Sequence, residues 1–319
     1  MDRATGATAH HVFRNLPTLL RAGDLLVVNR SRVFPARLVG RRHKGGEAEV
    51  LLLRRTAPRH WEALLRPGRR LRDGAVIRCD SGLVVTVLGR PIADDGRREV
   101  RLDAPGDADA LVETAGAIPL PPYIARPPDR ADRERYQTVY ARESGSVAAP
   151  TAGLHFTPAL IHEIRGRGIE IAEVVLHVGP GTFRPVKADD VRDHRVAPEP
   201  FEIPDGTASA IARARARAGR VIAVGTTVVR TLETAARVDG MVRGGQGETD
   251  LVIVPGFTFR AVDALVTNFH LPRSSLLLLV SAFAGREPTL AAYREAVSGG
   301  YRFYSYGDAM FIHGPCGRP

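Results

Sequence analysis

The stretch VIAVGTTVVRTLETAA, residues 221–236, reads as a strand, a Gly225-Thr226-Thr227 turn and a helix with no spacer between them. A strand that feeds directly into a helix is the repeating unit of an α/β sheet, and open sheets of this kind bind ligands at the ends of such strands. The Thr226 and Thr227 hydroxyls and the first free N–H groups of the helix can hold a polar or anionic group. A routine helix start is an equal reading.

The same grammar extends on both sides. A helix at Pro158–Gly166 precedes the strand IEIAEVVLHV (169–178), and the helix GTASAIARARARAG (206–219) precedes the strand of the opening stretch. Ser274 caps the apolar helix SLLLLVSAFAG (275–285), which Gly285 ends. Upstream the style differs. From GGEAEVLLLRR (45–55) to EVRLDAPG (99–106), short alternating runs such as Val76–Arg78, Val84–Leu88 and Val100–Leu102 are separated by Pro, Gly and Asp clusters. The expected fold is therefore an α/β domain, residues 1–41 and 119–319, with a smaller all-β barrel-like domain inserted at 42–118. The acid-and-arginine stretch RPPDRADRERY (126–136) reads as a connector whose charges are mostly solvated.

Composition narrows the function classes. The chain has 319 residues, 44% of them hydrophobic, which suffices for a substantial core. Cys79 and Cys316 stand far apart and make neither a disulfide framework nor a metal cluster. Met1–Phe13 lacks a signal-peptide pattern, and the apolar run Leu276–Ala284 is much shorter than the roughly 20 residues that span a bilayer, so a cytoplasmic protein without membrane contact is expected. A formal charge of +10 suits a polyanionic partner. Lys44 and Lys187 are the only lysines, so a genomic arginine bias accounts for the excess equally well.

Three loops carry histidine among small residues and next to Phe. GSVAAPTAGLHFT (145–157) combines Ser146, Thr151, Gly153 and His155; its end, Thr157-Pro158, reads as a helix N-cap and first residue. LHVGPGTFRP (176–185) places His177 at a strand end beside Gly179, Pro180 and Gly181, and VTNFHLPRSS (266–275) places Asn268 and His270 in another loop. Each histidine taken singly reads as a packing residue; three in similar loops make coincidence harder to accept. No paired Cys or short His spacing marks them as zinc ligands.

These segments resemble one family. YQTVYA (136–141), GSVAAPTAGLHF (145–156), LHVGPGTFRPV (176–186), VIAVGTTVVRTLE (221–233), VDALVTNFHLPRSSLLLLVSAFAG (262–285) and YRFYSYGDAMFI (301–312) are similar to the signature blocks of the S-adenosylmethionine:tRNA ribosyltransferase-isomerases of queuosine biosynthesis, in the family's order. The resemblance implies a barrel-like domain beside an α/β domain. It also implies transfer and isomerisation of the ribosyl moiety of S-adenosylmethionine onto the 7-aminomethyl-7-deazaguanine at the tRNA wobble position. Epoxyqueuosine forms, and adenine and methionine leave. The implied partners are tRNA and S-adenosylmethionine, the latter a substrate, with no metal or other cofactor; a monomer is expected.

On this reading His155, His177 and His270 are the candidate catalytic groups. Ser146, Thr151, Gly153, Gly181, Thr182, Thr226, Thr227 and Asn268 are candidates to bind the substrate, with Asn29 beside them. Arg32 or Arg230 would meet a carboxylate or phosphate, and Glu233 and Asp308 would hold ribose hydroxyls or position a histidine. At least two of the histidines are expected in one pocket lined by Thr226 and Thr227, with basic residues on the approach to the loops at Gly145, His177 and His270.

The chain also departs from the family. Arg30 and Ser31 stand where Asp-Thr or Asn-Thr is usual, Val196 and Ala197 replace a methionine and a histidine, and Val254 replaces a tyrosine. Family members usually begin with about thirty further residues; if that segment is truly absent, an exposed apolar edge near Leu25–Val28 is expected. A diverged enzyme that cleaves S-adenosylmethionine with a small deazapurine or no acceptor, and a non-catalytic RNA-binding relative, are the alternative readings.

Overall fold

A computed structural model describes residues 1–43, 45–89, 91, 92, 96–183 and 185–314. In chain order, α1 (Leu16–Leu19) leads to β1 (Leu25–Asn29) and the short β2 (Ser31–Val33). Six strands follow: β3 (Arg37–Arg42), β4 (Glu47–Ala57), β5 (His60–Arg66), β6 (Val76–Arg78), β7 (Val84–Leu88) and β8 (Arg98–Asp103). Then come α2 (Ala108–Ala115), α3 (Asp132–Arg135), β9 (Glu143–Ser146), α4 (Pro158–Gly166), β10 (Glu170–Leu176) and β11 (Glu199–Ile203). The remainder is α5 (Asp205–Ala216), β12 (Val221–Val224), α6 (Thr226–Ala235), β13 (Gly245–Thr249), β14 (Ala264–Asn268), α7 (Ser275–Ala284), α8 (Arg286–Ser298) and β15 (Ala309–Ile312). Two compact units divide the chain: Met1–Ser31, Thr138–Glu143 and Pro150–Pro319 form one, and Arg32–Gln137 with Ser144–Ala149 the other.

The first unit is the α/β domain. Its sheet runs β13-β11-β10-β1-β12-β14-β15, with β10, β1, β12 and β14 parallel and the outer strands antiparallel. Strand β1, Leu-Leu-Val-Val-Asn, has no polar alternation because both its faces are covered. Leu25 and Val27 join the core with α5, α6 and α7, while Leu26 and Val28 join the opposite core with Phe156, Leu160 and Ile164. Leu25–Val28 are at most 1% exposed, so the expected apolar edge is corrected: β1 lies in the middle of the sheet, between β10 and β12.

The expected helix signals are formed. Thr157 Oγ1 accepts from Leu160 N (3.1 Å), with Pro158 in the first turn of α4, and Ser274 Oγ accepts from Leu277 N (3.2 Å) at the start of α7. Gly225, at φ 96°, lets β12 turn into α6 within a single residue.

The second unit is a closed antiparallel barrel, β3-β4-β5-β8-β7-β6. Alternation points Leu38, Val50, Leu52, Ile77, Val85, Val87, Val100 and Leu102 into its core. The barrel starts with Arg37–Arg42, residues whose larger part the sequence reading had placed in the α/β domain. Leu38 and Gly40 alternate inward there as in any other barrel strand. The unit also holds a helix: Asp107 caps α2 by accepting from Asp109 N (2.9 Å), and Ala108 and Val112 pack into the barrel core.

The connector 126–136 is less solvated than expected. Asp132 is buried and accepts from both Arg126 Nη1 and Nη2 at 2.7 Å, and Arg133 donates to the carbonyls of Glu113, Thr114 and Gly116 at the end of α2.

Closure of the barrel depends on Gly40. A Cβ there would lie 2.6 Å from the Arg78 carbonyl oxygen and 2.8 Å from Ile77 Cγ2, where β3 meets β6. Gly40→Val is expected to destabilise this unit by roughly 1–3 kcal/mol or more, the cost of overpacking. Denaturant unfolding followed through Trp61, which packs against the barrel core, measures it.

Candidate functional site

The four parallel strands end together. Register sets Asn29 level with Val174, Ala223 with Val27, and Val224 with Val266. His177, the Gly225-Thr226-Thr227 turn and the Asn268–His270 loop therefore all lie at the carboxyl edge of the sheet, the position that α/β sheets use for ligands. The 3₁₀ turn Thr151–His155 lies beside this edge, with Ala152 Cβ near Gly225.

His155 is the candidate most directly placed for chemistry. Its ring stacks on Phe13 (centroids 4.8 Å apart). Its Nε2 is buried without a hydrogen-bond partner, as is Oδ1 of Asn268, which lies close enough to favour the charged imidazole. Asn268 is fixed by its other end, where Nδ2 donates to the Tyr304 carbonyl (2.9 Å). Burial pushes the His155 pKa below the ordinary imidazole value, and the Asp308 carboxylate opposes that shift most. Asp308 is itself held by the Arg302 backbone N–H (2.7 Å).

A cavity of about 420 Å³ borders His155 and Asp308, walled by Phe13, Leu16, Val266, Phe269 and Phe311. Among its described lining residues neither His177 nor His270 appears, nor Thr226 or Thr227; His10, His11 and His313 line it instead, so this cavity does not gather two of the three candidate histidines as expected.

The other two histidines are held differently. His270 Nε2 lies 2.8 Å from Thr267 Oγ1, its backbone N–H donates to Tyr293 Oη (2.9 Å), and burial pushes its pKa down to about 4. It is neutral at physiological pH and occupied by its neighbours. His177 follows β10, three strands away from β14 and so about 14 Å along the sheet from the His270 strand. Its Nδ1 is buried without a partner; burial lowers its pKa, and Glu143 and Glu202 oppose this. Arg30 lies 3.4, 3.5 and 3.7 Å from Glu143, Glu173 and Glu202, and Arg142 pairs with Glu173. The surroundings of His177 are thus a neutralised charge cluster instead of the basic rim expected there.

Several residues read as substrate ligands are engaged by the protein. Asn29 Nδ2 donates to the Leu176 carbonyl (3.0 Å) and, at 3.4 Å, to Thr227 Oγ1, while its Oδ1 accepts from Leu176 N and Ser31 N. It ties β1 to β10. Arg230 donates to the carbonyls of Leu251 and Thr249 and forms a buried ion pair with Glu199. Glu233 accepts from the backbone N–H groups of Arg260, Ala261 and Val262 (2.8–3.1 Å), bracing the entry to β14; its burial raises its pKa against those donors.

Gly153 is required by packing, since a Cβ would lie 2.1 Å from Tyr140 Oη. Gly181 has open space around it, and Thr151 is half-buried at the start of its turn. Arg32 and Ser146 belong to the barrel unit.

Glu199 was absent from the sequence-derived set. It accepts from Gly179 N (2.6 Å) and from Thr182 Oγ1 (3.4 Å) as well as pairing with Arg230, so it anchors the Gly-Pro-Gly-Thr loop to α6. Its position in DHRVAPEP (193–200), two residues after the replaced Ala197, was the available signal. Tyr140, in the YQTVYA block, is the other: its hydroxyl is buried against Gly153 without a partner. Among the described residues, no group of three His, Cys, Asp or Glu side chains is placed to hold a metal.

Comparison with known proteins agrees with this arrangement. The family model described as queuosine biosynthesis protein matches residues 1–312. The S-adenosylmethionine:tRNA ribosyltransferase-isomerase of Heliobacterium modesticaldum is 53% identical over 314 residues, covering 98% of this chain and 91% of that protein. The enzyme of the same name from Moorella thermoacetica is 53% identical over 319 residues, with the same coverage. The solved structure of S-adenosylmethionine tRNA ribosyltransferase from Thermotoga maritima is 40% identical, spans 98% of this chain and 90% of that one, and superposes with a TM-score of 0.53. A family match across nearly the whole chain, joined to relatives of this identity and to signature blocks set at one sheet edge, means that the chain belongs to the queuosine biosynthesis protein family.

Proposed function

We propose that this chain is an S-adenosylmethionine:tRNA ribosyltransferase-isomerase in which His155, backed by Asn268 and Asp308, moves the proton. It transfers the ribosyl moiety of S-adenosylmethionine to the 7-aminomethyl-7-deazaguanine at the tRNA wobble position, giving epoxyqueuosine, adenine and methionine. The observation that carries the role of His155 is its buried ring facing the Asn268 side chain at the carboxyl end of β14, with the Asp308 carboxylate near enough to favour the charged form.

The chemistry needs little beyond such groups. The sulfonium acidifies the adjacent ribose 5′ carbon and is the electron sink, so no further cofactor is called for. A neutral imidazole takes the 5′ proton and, once charged, is the donor for the departing adenine. Asn268 orients the ring, and Asp308 favours the imidazolium when it forms. Thr226 and Thr227, at the N-terminus of α6, and Thr151 bind the polar groups of the methionyl and ribose parts. The Gly181-Thr182 loop, held by Glu199, closes over them. His270 positions Thr267, and His177 lies towards the acceptor. We place the enzyme in the cytoplasm as a monomer; among the described residues no helix is long and apolar enough to cross a membrane.

The test is adenine and methionine release with and without tRNA carrying the deazaguanine precursor. Release that depends on that tRNA is the expected result. Release without it points to the diverged enzyme with another or no acceptor, and binding without release to an RNA-binding relative.

A further inference from the structure

The barrel is electrostatically polarised along its axis. The β3–β4 hairpin, the β5–β6 connection and the β7–β8 hairpin meet at one end: Glu49 faces Arg66, Arg42 faces Ile77, and Gly74 N donates to the Val87 carbonyl (2.9 Å). Arg41, Arg66, Arg69, Arg70 and Arg72 are exposed here, and none lies within 4 Å of a carboxylate among the described residues. Arg41 lies between Arg78 and Glu47 as cross-strand partners, so one like-charge and one opposite-charge neighbour flank it. Of the other acidic residues here, Asp73 is held by Gly89 N (2.7 Å), and Glu49 pairs with Arg37.

The opposite end is mostly paired, with Arg78 at the β6–β7 turn excepted. Arg55 pairs with Asp109 (2.9 Å), and Arg59 and Arg101 pair with Asp103 (4.0 and 3.0 Å). A genomic bias towards arginine would load both ends alike and leave pairing to chance. Among the described residues, the guanidinium groups of the Gly68–Arg72 segment are thus held by no carboxylate of the chain, which favours a partner that supplies negative charge.

We propose that this end of the barrel grips the phosphate backbone of the tRNA substrate, which rests on the functional reading above. Guanidinium groups engage phosphate oxygens through paired N–H donors, and the exposed Gly68–Arg70 turn presents two of them outside the sheet. Such contacts hold a folded RNA by its backbone and shape without reading its sequence, which suits an enzyme that acts on one nucleotide of a larger molecule.

The test compares the full chain with Arg69→Gln/Arg70→Gln/Arg72→Gln, and with a control triple at the other end, Arg55→Gln/Arg59→Gln/Arg101→Gln. Dissociation constants for precursor-bearing tRNA are measured across salt concentrations, with adenine release at saturating tRNA. The first triple is expected to weaken binding on the order of tenfold and to lower the log–log salt slope by about 2–3, with turnover at saturation unchanged. The control is expected to bind as the parent does. Equal affinity and slope in the first triple and the parent would overturn the proposal, as would equal weakening by both triples. A parent that binds tRNA through these arginines but releases no adenine would sink the catalytic reading and leave this surface standing.

Discussion

His155→Ala is expected to cut turnover by roughly 10² to 10⁴, the range for loss of a general acid–base group, while S-adenosylmethionine binding changes little. The pH profile of kcat/KM separates this from a packing role. Burial lowers the His155 pKa, so the imidazole is neutral at pH 7 and remains so somewhat below the ordinary imidazole range. Activity therefore falls only as pH drops through that lowered pKa, where the base becomes protonated. Asp308 pulls the pKa upward, so Asp308→Asn is expected to move the acidic limb to lower pH. A His155→Ala variant with normal turnover, or a limb that Asp308→Asn leaves in place, would remove the assignment. His270→Ala is the useful contrast: a ring bonded to Thr267 and neutral down to about pH 4 should cost stability and move no limb above pH 5.

What could be read beforehand follows from what local sequence encodes. The strand-turn-helix of residues 221–236, the caps at Thr157 and Ser274 and the alternating barrel strands are nearest-neighbour properties, and all are formed. The place of β1 in the sheet is not such a property. Its uniform apolar character fits an exposed edge awaiting a partner as well as a centre covered on both faces, and only long-range pairing with β10 and β12 decides.

The candidate site shows the same division. That Asn29 and Arg230 lie near the carboxyl edge was legible from their blocks, but not that Glu233 braces the opposite edge, nor that backbone groups engage all three, because those partners lie 19 to 147 residues away. A buried polar residue in a signature block is thus as much a brace of the ligand edge as a ligand contact. His155 stands apart because no backbone group engages its Nε2, which meets only the Asn268 side chain.

Arg230→Met is expected to produce the largest stability loss of any single change near the site. It leaves Glu199 charged, 6% exposed, and without its guanidinium, and breaking one side of a buried pair costs about 3–5 kcal/mol. For a unit of this size that corresponds to a melting temperature lower by on the order of 10 °C. The Leu251 and Thr249 carbonyls lose their donors in the same step, which adds to the cost. Glu199→Gln leaves Arg230 its two carbonyl contacts and keeps a hydrogen-bonding group towards Gly179 N, so its loss of stability should be smaller while the Gly179–Thr182 loop loosens. That variant should therefore raise KM for S-adenosylmethionine more than it lowers the melting temperature. Combining Arg230→Met with Glu199→Gln should recover part of the stability, since the uncompensated charge is gone. Equal melting temperatures for Arg230→Met and the parent would mean that the pair is not buried as described. A KM unchanged in Glu199→Gln would mean that the loop it holds takes no part in binding.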